Sequence, residues 1–319
     1  MKIDSVVVVG GAGFIGRHVL NALATRGVRV TVPTRRRESA KHLILLPTVD
    51  VVETDVNAPG VLERMFAQAD AVINLAGVLH SRPAGGNESY GPQFRAAHVD
   101  LPRHIVDACR ATGVKRLVHM SALAASADAP SEYLRSKAAG EAVVLGADTL
   151  EATVLRPSVV FGPEDRFLNT FARLVALFPV IPLACPEARF QPVFVGDVAQ
   201  AIVRCLQERD ANGRIYDLAG PREYSLREIV AFACRVDGRH RAIVGLGPAL
   251  SRLQAWVLEK LPGSLLTSDN LHSMSVPSVS AAPLPFGITP TPMEAVAPLY
   301  LAHAAPRVNL DALRHKANR

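Results

Sequence analysis

Short, almost unbroken apolar runs alternate with longer segments of helical periodicity through the first half of the chain. The strand-like runs are Val6–Val9, Val28–Val32, Val49–Val52, Ala71–Leu75, Leu117–Met120 and Ala152–Leu155. Continuous rather than alternating apolar character suits parallel strands covered by helices on both faces. Between them lie Phe14–Arg26, Val61–Gln68, Phe94–Thr112 and Glu132–Leu145, with apolar residues at helical spacing. The rhythm predicts an α/β fold with a doubly wound parallel sheet. Right-handed crossovers would bring every strand C-terminus to one edge, where ligands bind.

After Arg156 the pattern loosens and prolines become frequent. Shorter elements are expected at Phe190–Val195, Val198–Gln207 (a helix) and Arg214–Asp217, with a further helix after the N-cap candidate Ser225. From Ala242 an apolar, helix-like segment leads into a Pro/Ser-rich stretch, Ser275–Pro298. This organisation predicts a dinucleotide-binding domain over residues 1–165 and a smaller lobe over 166–319, partly interwoven with the first. The loop His80–Pro92, rich in Gly, Pro and Ser, follows a strand end; it either roofs the site or is passive surface.

Nearly half of the 319 residues are apolar and a fifth are charged, enough for a sizeable core. Mean hydropathy is +0.19, yet no apolar run reaches membrane-spanning length. The apolar start is strand-sized and runs straight into glycines, unlike a signal peptide. Four cysteines lack metal-ligand spacing, so no metal site is predicted, and reduced thiols in a cytoplasmic protein are expected. The formal charge of +6 comes without a nucleic-acid-binding motif, so no nucleic-acid partner is expected. Much of the excess sits in Arg35-Arg36-Arg37, in 235–241 and in the tail 307–319.

The first of these clusters follows a glycine loop. Val6–Val9 run into Gly10-Gly11-Ala12-Gly13-Phe14-Ile15-Gly16 and then a helix. A tight strand-to-helix turn without side chains lets a pyrophosphate reach backbone N–H groups at the helix start. This is the context of a Rossmann-type dinucleotide site, with Gly10, Gly13, Phe14, Ile15 and Gly16 as its floor. NAD-selective sites carry an acidic residue near the end of the second strand. Here Arg35 and Arg36 stand instead, and a guanidinium fork suits a 2′-phosphate. NADP(H) is therefore expected over NAD(H), which remains the alternative. Asp55 and Val56 follow the third strand, placed to meet an adenine. Leu75-Ala76-Gly77 closes the fourth, where small residues let a cofactor lie against backbone.

Tyr133 and Lys137 are four apart and share one helix face. An adjacent ammonium would favour phenolate and so lower the tyrosine pKa. Ser121, at the end of the fifth strand, could hydrogen-bond a substrate carbonyl. With Gly10–His18, these stretches, Ser131–Glu141, Arg156–Asn169 and Gln191–Ala199, make the chain resemble an extended or atypical short-chain dehydrogenase/reductase. More narrowly, it is similar to the branch of the SDR-like accessory subunit of mitochondrial complex I. The resemblance implies a pyrophosphate on the glycine loop, an active-site Tyr133/Lys137 pair, and Pro157-Ser158 near the nicotinamide. It departs from the family in two places. His98 stands where catalytic extended members carry Asn, either as a structural histidine or holding a water, and Ser121 lies only twelve residues before Tyr133.

The expected function is NADP(H)-dependent oxidoreduction of a small carbonyl or hydroxyl compound, with Tyr133, Lys137 and Ser121 catalytic. The rivals are a non-catalytic NADP(H)-holding scaffold for a respiratory or quinone-related complex, and a nucleotide-sugar epimerase or dehydratase. Leu250, Leu253, Val257 and Leu261 form a helical stripe beside Trp256. It packs on its own domain or serves as an interfacial, partner-docking surface. A cytoplasmic location is expected, with a peripheral place on the inner face of a membrane as the alternative.

Overall fold

The computed structural model describes residues 3–86, 88–260 and 266–301. Leu261 and the basic tail 307–319 lie outside them. The chain divides into two units. The first gathers the chain up to Pro157 with Val195–Leu218 and Ala282–Thr289. The second gathers Ser158–Phe194, Ala219–Ala281 and the chain from Pro290.

In the first unit, β1 (Ser5–Val9), α1 (Phe14–Ala24), β2 (Arg29–Thr34), β3 (Val49–Glu53), α2 (Val61–Phe66) and β4 (Ala71–Asn74) come first. Then follow α3 (Pro92–Arg95), α4 (Leu101–Thr112), β5 (Arg116–Met120), α5 (Glu132–Leu145) and β6 (Glu151–Pro157). The second unit contributes β7 (Val160–Phe161), α6 (Phe167–Leu177), β8 (Val180–Leu183), β9 (Arg189–Phe190) and β10 (Val193–Phe194). The chain returns to the first unit for α7 (Val195–Gln207) and β11 (Ile215–Leu218). β12 (Tyr224–Ser225), α8 (Leu226–Val236), β13 (Ala242–Gly245), α9 (Pro248–Glu259), α10 (Ser268–Met274) and α11 (Met293–Leu301) complete the second.

Seven parallel strands form the central sheet in the order β11-β6-β5-β4-β1-β2-β3. This is the doubly wound arrangement that the sequence pattern predicts, extended by a seventh strand. The order reverses between β1 and β4, the switch point at which sheets of this kind bind ligands. Alternate residues of each strand face opposite layers. Val7, Val9, Val72, Leu117 and Val154 face the layer that includes Phe66 of α2 and Ile105 of α4. The other layer contains α1 packed on α7. Arg116 is buried at the start of β5 and its guanidinium donates to the Cys205 and Glu208 carbonyls, capping the end of α7.

Two elements differ from the sequence expectation. Phe94–Thr112 is not one regular helix, because Ala96–Asp100 forms a π-helical turn between α3 and α4. The segment opening at Ala242 begins as strand β13, paired in parallel with β8, and becomes helical only at Pro248. Elsewhere local chemistry fixes the boundaries. Ser131 caps α5 by accepting from the Leu134 N–H, and Ser225 with Glu228 makes a reciprocal capping box on α8.

Gly140 of α5 faces the π-turn. A Cβ there would overlap the His98 carbonyl oxygen and touch Pro102. Gly140→Ala should therefore lower the unfolding free energy by about 2 kcal/mol in a urea titration, although alanine is the better helix former by ~1 kcal/mol.

Candidate active site

The glycine turn shows why it must be bare. Gly10 has φ +83°, and a Cβ on it would stand 2.7 Å from the Ala76 nitrogen. A Cβ on Gly16 would overlap the Gly11 carbonyl oxygen. Gly13 begins α1 without a side-chain cap, and no acidic residue occupies the first turn. The positive end of α1, with the N–H groups of Phe14, Ile15 and Gly16, is therefore not neutralised by a carboxylate of its own. Leu75 and Ala76 close the opposite side, held by Leu75 N–H on the Val9 carbonyl and Ala76 N–H on Asn74 Oδ1. These features fit a dinucleotide pyrophosphate.

At the end of β2, Arg35 and Arg36 are exposed and follow Thr34, so no carboxylate stands at the strand terminus. The carboxylate of Glu53 accepts from the Arg37 backbone N–H. Arg17 adds charge to the same region and, after burial, is the cause that lowers the pKa of both His18 and His42. Asp55 is exposed, and its Oδ1 accepts from the backbone and side-chain amides of Asn57. Val56 packs against the core.

Around Gly77 the side chains of Lys137 and His98 converge. Lys137 is buried and its ammonium donates to the Met120 carbonyl at 3.1 Å. A Cβ on Gly77 would lie 3.2 Å from Lys137 Nζ and 3.4 Å from His98 Nε2. His98 accepts from the Val78 N–H at Nε2 (3.0 Å), which places its proton on Nδ1. That nitrogen donates to Ser136 Oγ at 2.8 Å, and Ser136 donates to the Tyr133 carbonyl. The imidazole thus clamps the strand-end loop to the helix turn carrying Tyr133. Phe94 stacks on its face, and Tyr133 meets its edge. The π-turn aims His98 here, and hydrophobic periodicity gave no sign of it.

Burial dominates the ionisation of the cluster. Desolvation, then the charges of Lys137 and His119, drives His98 down to about 2. His119, bonded to Asn74 at 3.1 Å, falls to about 3 by burial and then by Lys137. Burial takes Lys137 down to about 8 and pushes Tyr133 up to about 12. The expected lowering of the tyrosine pKa is not found: desolvation of the phenol prevails and raises it. Ser121 is 2% exposed, and its Oγ has no hydrogen-bond partner among the described residues. Such a buried donor needs an acceptor.

The loop between β4 and α3 is tied to the same helix. One Glu132 carboxylate accepts from the Ala84 and Gly91 N–H groups, and Arg135 donates to the Ser89 carbonyl. Glu141 and Arg156 form a two-pronged ion pair joining α5 to β6. Sequence reading missed both, since neither pair has local spacing. Pro157 ends β6. Ser158 belongs to the second unit, where its hydroxyl donates to the Ser278 carbonyl and accepts from the Gln191 N–H.

Residues 6–219 match the family model of the NAD dependent epimerase/dehydratase family. The chain belongs to that family. Alpha subcomplex subunit 9 of the mitochondrial NADH dehydrogenase (ubiquinone) of Mus musculus is 33% identical over 302 residues, 90% of this chain and 77% of that protein. A ceramide reductase of Caulobacter vibrioides is 34% identical over 198 residues, 62% of this chain and 59% of its own. A farnesyl-dihydroquinoline-oxide ketoreductase of Stigmatella aurantiaca is 24% identical, over 72% of each chain. Among solved structures, a UDP-glucuronic acid 4-epimerase of Bacillus cereus superposes with TM-score 0.66 at 17% identity, over 86% and 95% of the two chains, which shows the shared fold. The expected cytoplasmic location is corrected by these findings. The relatives spanning most of the chain are mitochondrial subunits, which point to that organelle instead.

The clamp gives a pH signature. His98 titrates at about 2 in the folded chain against 6.5 when unfolded, so between these values only the unfolded chain takes up its proton. Stability is lost as the pH falls below 6.5, by about 1.4 kcal/mol per pH unit from this residue. His98→Asn should flatten the slope of unfolding free energy against pH by about one proton between about pH 6 and pH 4.5. An unchanged slope in urea titrations at those pH values would refute the neutral clamp.

Proposed function

We propose that this chain is an NADPH-dependent reductase of a ketone carried on a lipid-tailed molecule. The observation that carries the reading is the convergence at Gly77: a buried lysine, the phenol-bearing helix turn and, one residue beyond Met120, a buried hydroxyl without a partner. The glycine turn and α1 would hold the pyrophosphate, and Arg35 and Arg36 the 2′-phosphate. When bound, NADPH supplies the hydride that goes to the carbonyl carbon. Ser121 would donate a hydrogen bond to the carbonyl oxygen, and Tyr133 would deliver the proton to it. A phenol at about 12 is protonated at neutral pH and so can donate this proton. Lys137, at about 8, can hold the ribose and stabilise the phenolate left behind.

The substrate class is argued from the relatives. Ceramide reductase and the farnesyl-bearing ketoreductase are both named for molecules with long apolar tails. The complex I likeness supports a second reading, a scaffold holding NADP(H) beside a respiratory complex.

Two measurements decide. NADPH should bind at least about tenfold more tightly than NADH, a gap of ~1.4 kcal/mol, and Arg35→Ala/Arg36→Ala should erase it; equal affinities by calorimetry would refute the 2′-phosphate assignment. With a detergent-dispersed long-chain ketone, Tyr133→Phe should keep NADPH affinity and cut reduction by ~100-fold or more. NADPH that binds tightly but is never oxidised by any such ketone would favour the scaffold.

A further inference from the structure

The second unit carries an apolar face that no other described residue covers. In the β8–β13 ribbon, Ile181 and Leu183 turn inward while Val180 and Val244 are left about half exposed. Beside it α9 packs through its smallest side chains, Ser251 and Ala255, and Gln254 donates to the Pro182 carbonyl. Its larger side chains point the other way. Leu250, Leu253, Trp256 and Val257 are 56%, 55%, 55% and 47% exposed. Leu250, Leu253, Val257 and Leu258 border a shallow groove of about 300 Å³ closed by Pro182 and Leu246. Just before β8, Leu177 and Phe178 extend the exposed apolar run. A core helix would bury this stripe, and no described residue does so here.

Cations predominate among the charges around this face, beside the pair of Arg227 with the exposed Glu187 next to β13. Lys260 lays its ammonium 3.4 Å from the centre of the Trp256 ring, and Arg252 is exposed on the same helix. Arg239 and Arg241 donate to the Ala176 and Val175 carbonyls, at the turn that leads to Leu177. Of the nearby carboxylates, Asp237 is buried against Arg239, and Glu259 is half-buried and bonded to Ser268. Exposed Leu and Val between a tryptophan and cations is the chemistry of a bilayer interface: the aliphatic tips enter, the indole sits at headgroup level, and the ammonium reaches phosphate. The groove's only polar lining residue is Gln254, whose amide N–H donates to the Pro182 carbonyl while its buried Oε1 has no partner among the described residues.

We propose that α9 and the β8–β13 ribbon form a peripheral docking surface for an anionic lipid bilayer. No helix among the described residues is long and apolar enough to cross a membrane, so the attachment is to one leaflet surface. The inference goes beyond the catalytic reading and does not depend on it, because binding is read without turnover.

Trp256 is the only tryptophan of the chain, so its fluorescence reports this surface alone. The full chain is mixed with vesicles of phosphatidylcholine, with or without phosphatidylglycerol. With phosphatidylglycerol, it should float at low salt, and Trp256 should shift to the blue and be quenched by brominated acyl chains. Raising the salt should weaken binding roughly tenfold or more. Leu253→Glu/Val257→Glu, at exposed positions, should abolish flotation while keeping the thermal melt and NADPH binding; Arg252→Glu/Lys260→Glu should remove the preference for phosphatidylglycerol. If the first variant fails to fold, quenching in the unmodified protein still decides. The proposal is overturned if the protein stays in the soluble fraction with unshifted emission, or if Leu253→Glu/Val257→Glu floats as well as the parent. It is equally overturned if sedimentation shows a dimer that this variant abolishes, which would assign the face to a second copy of the chain.

Discussion

The approach of the Gly10 turn to the Leu75–Ala76 peptide sets the position of everything at the edge of the sheet. β1 and β4 are neighbours in register, so their exits must diverge within a few ångströms of each other. Only a residue without a Cβ, at φ +83°, lets the two backbones pass that closely. From that contact the loop after β4 runs on to Gly77 and Val78, where His98 takes hold of it. The spacing between the N-terminal end of α1 and the Tyr133 helix is thus carried by main chain and one imidazole, not by flexible side chains.

Much of this was legible because it is local. Parallel strands announce themselves as apolar runs, the glycine turn by its steric demand, and α5 by Ser131 at its start. Its bounds, Glu132–Leu145, match the sequence expectation. The illegible parts have identifiable physical causes. β11 overlaps the short element expected at Arg214–Asp217, but with its first residue exposed and the next two half-buried it lacks the continuous apolar signature of its neighbours, so its place in the central sheet was not legible. β13 is apolar enough to read as the start of the following helix. The π-turn shifts the helical phase by a single residue, below what hydrophobic spacing resolves, yet it decides where His98 points. On α9 the period was right, but the same period serves a core stripe and an outward one; only burial separates them.

The Gly77 cluster also shows a tension between stability and site chemistry. Lys137, His98 and His119 are all buried, and each histidine is held neutral partly by the lysine's charge. No carboxylate is among the causes that shift Lys137. A fold selected only for stability would not keep an ammonium here, since buried charge without a counter-ion is costly. Its retention is what a site shaped for a polar, hydroxyl-bearing or anionic ligand would show.

The placement of β11 has a consequence for the order in which the molecule acquires its structure. β6 is complete at Pro157, but the strand that covers its outer edge arrives only with Ile215–Leu218, after an excursion through the second unit. During synthesis the first six strands can pair while the open backbone of β6 waits. Closing such a long loop is entropically slow, and an unpaired strand edge invites the wrong partner. Arg116 shares this dependence: its guanidinium is seated only once α7 supplies the Cys205 and Glu208 carbonyls. The nascent chain is therefore expected to be most prone to association in the interval after β6 and before β11, a period in which the glycine turn is already formed and a dinucleotide could steady the half-built sheet.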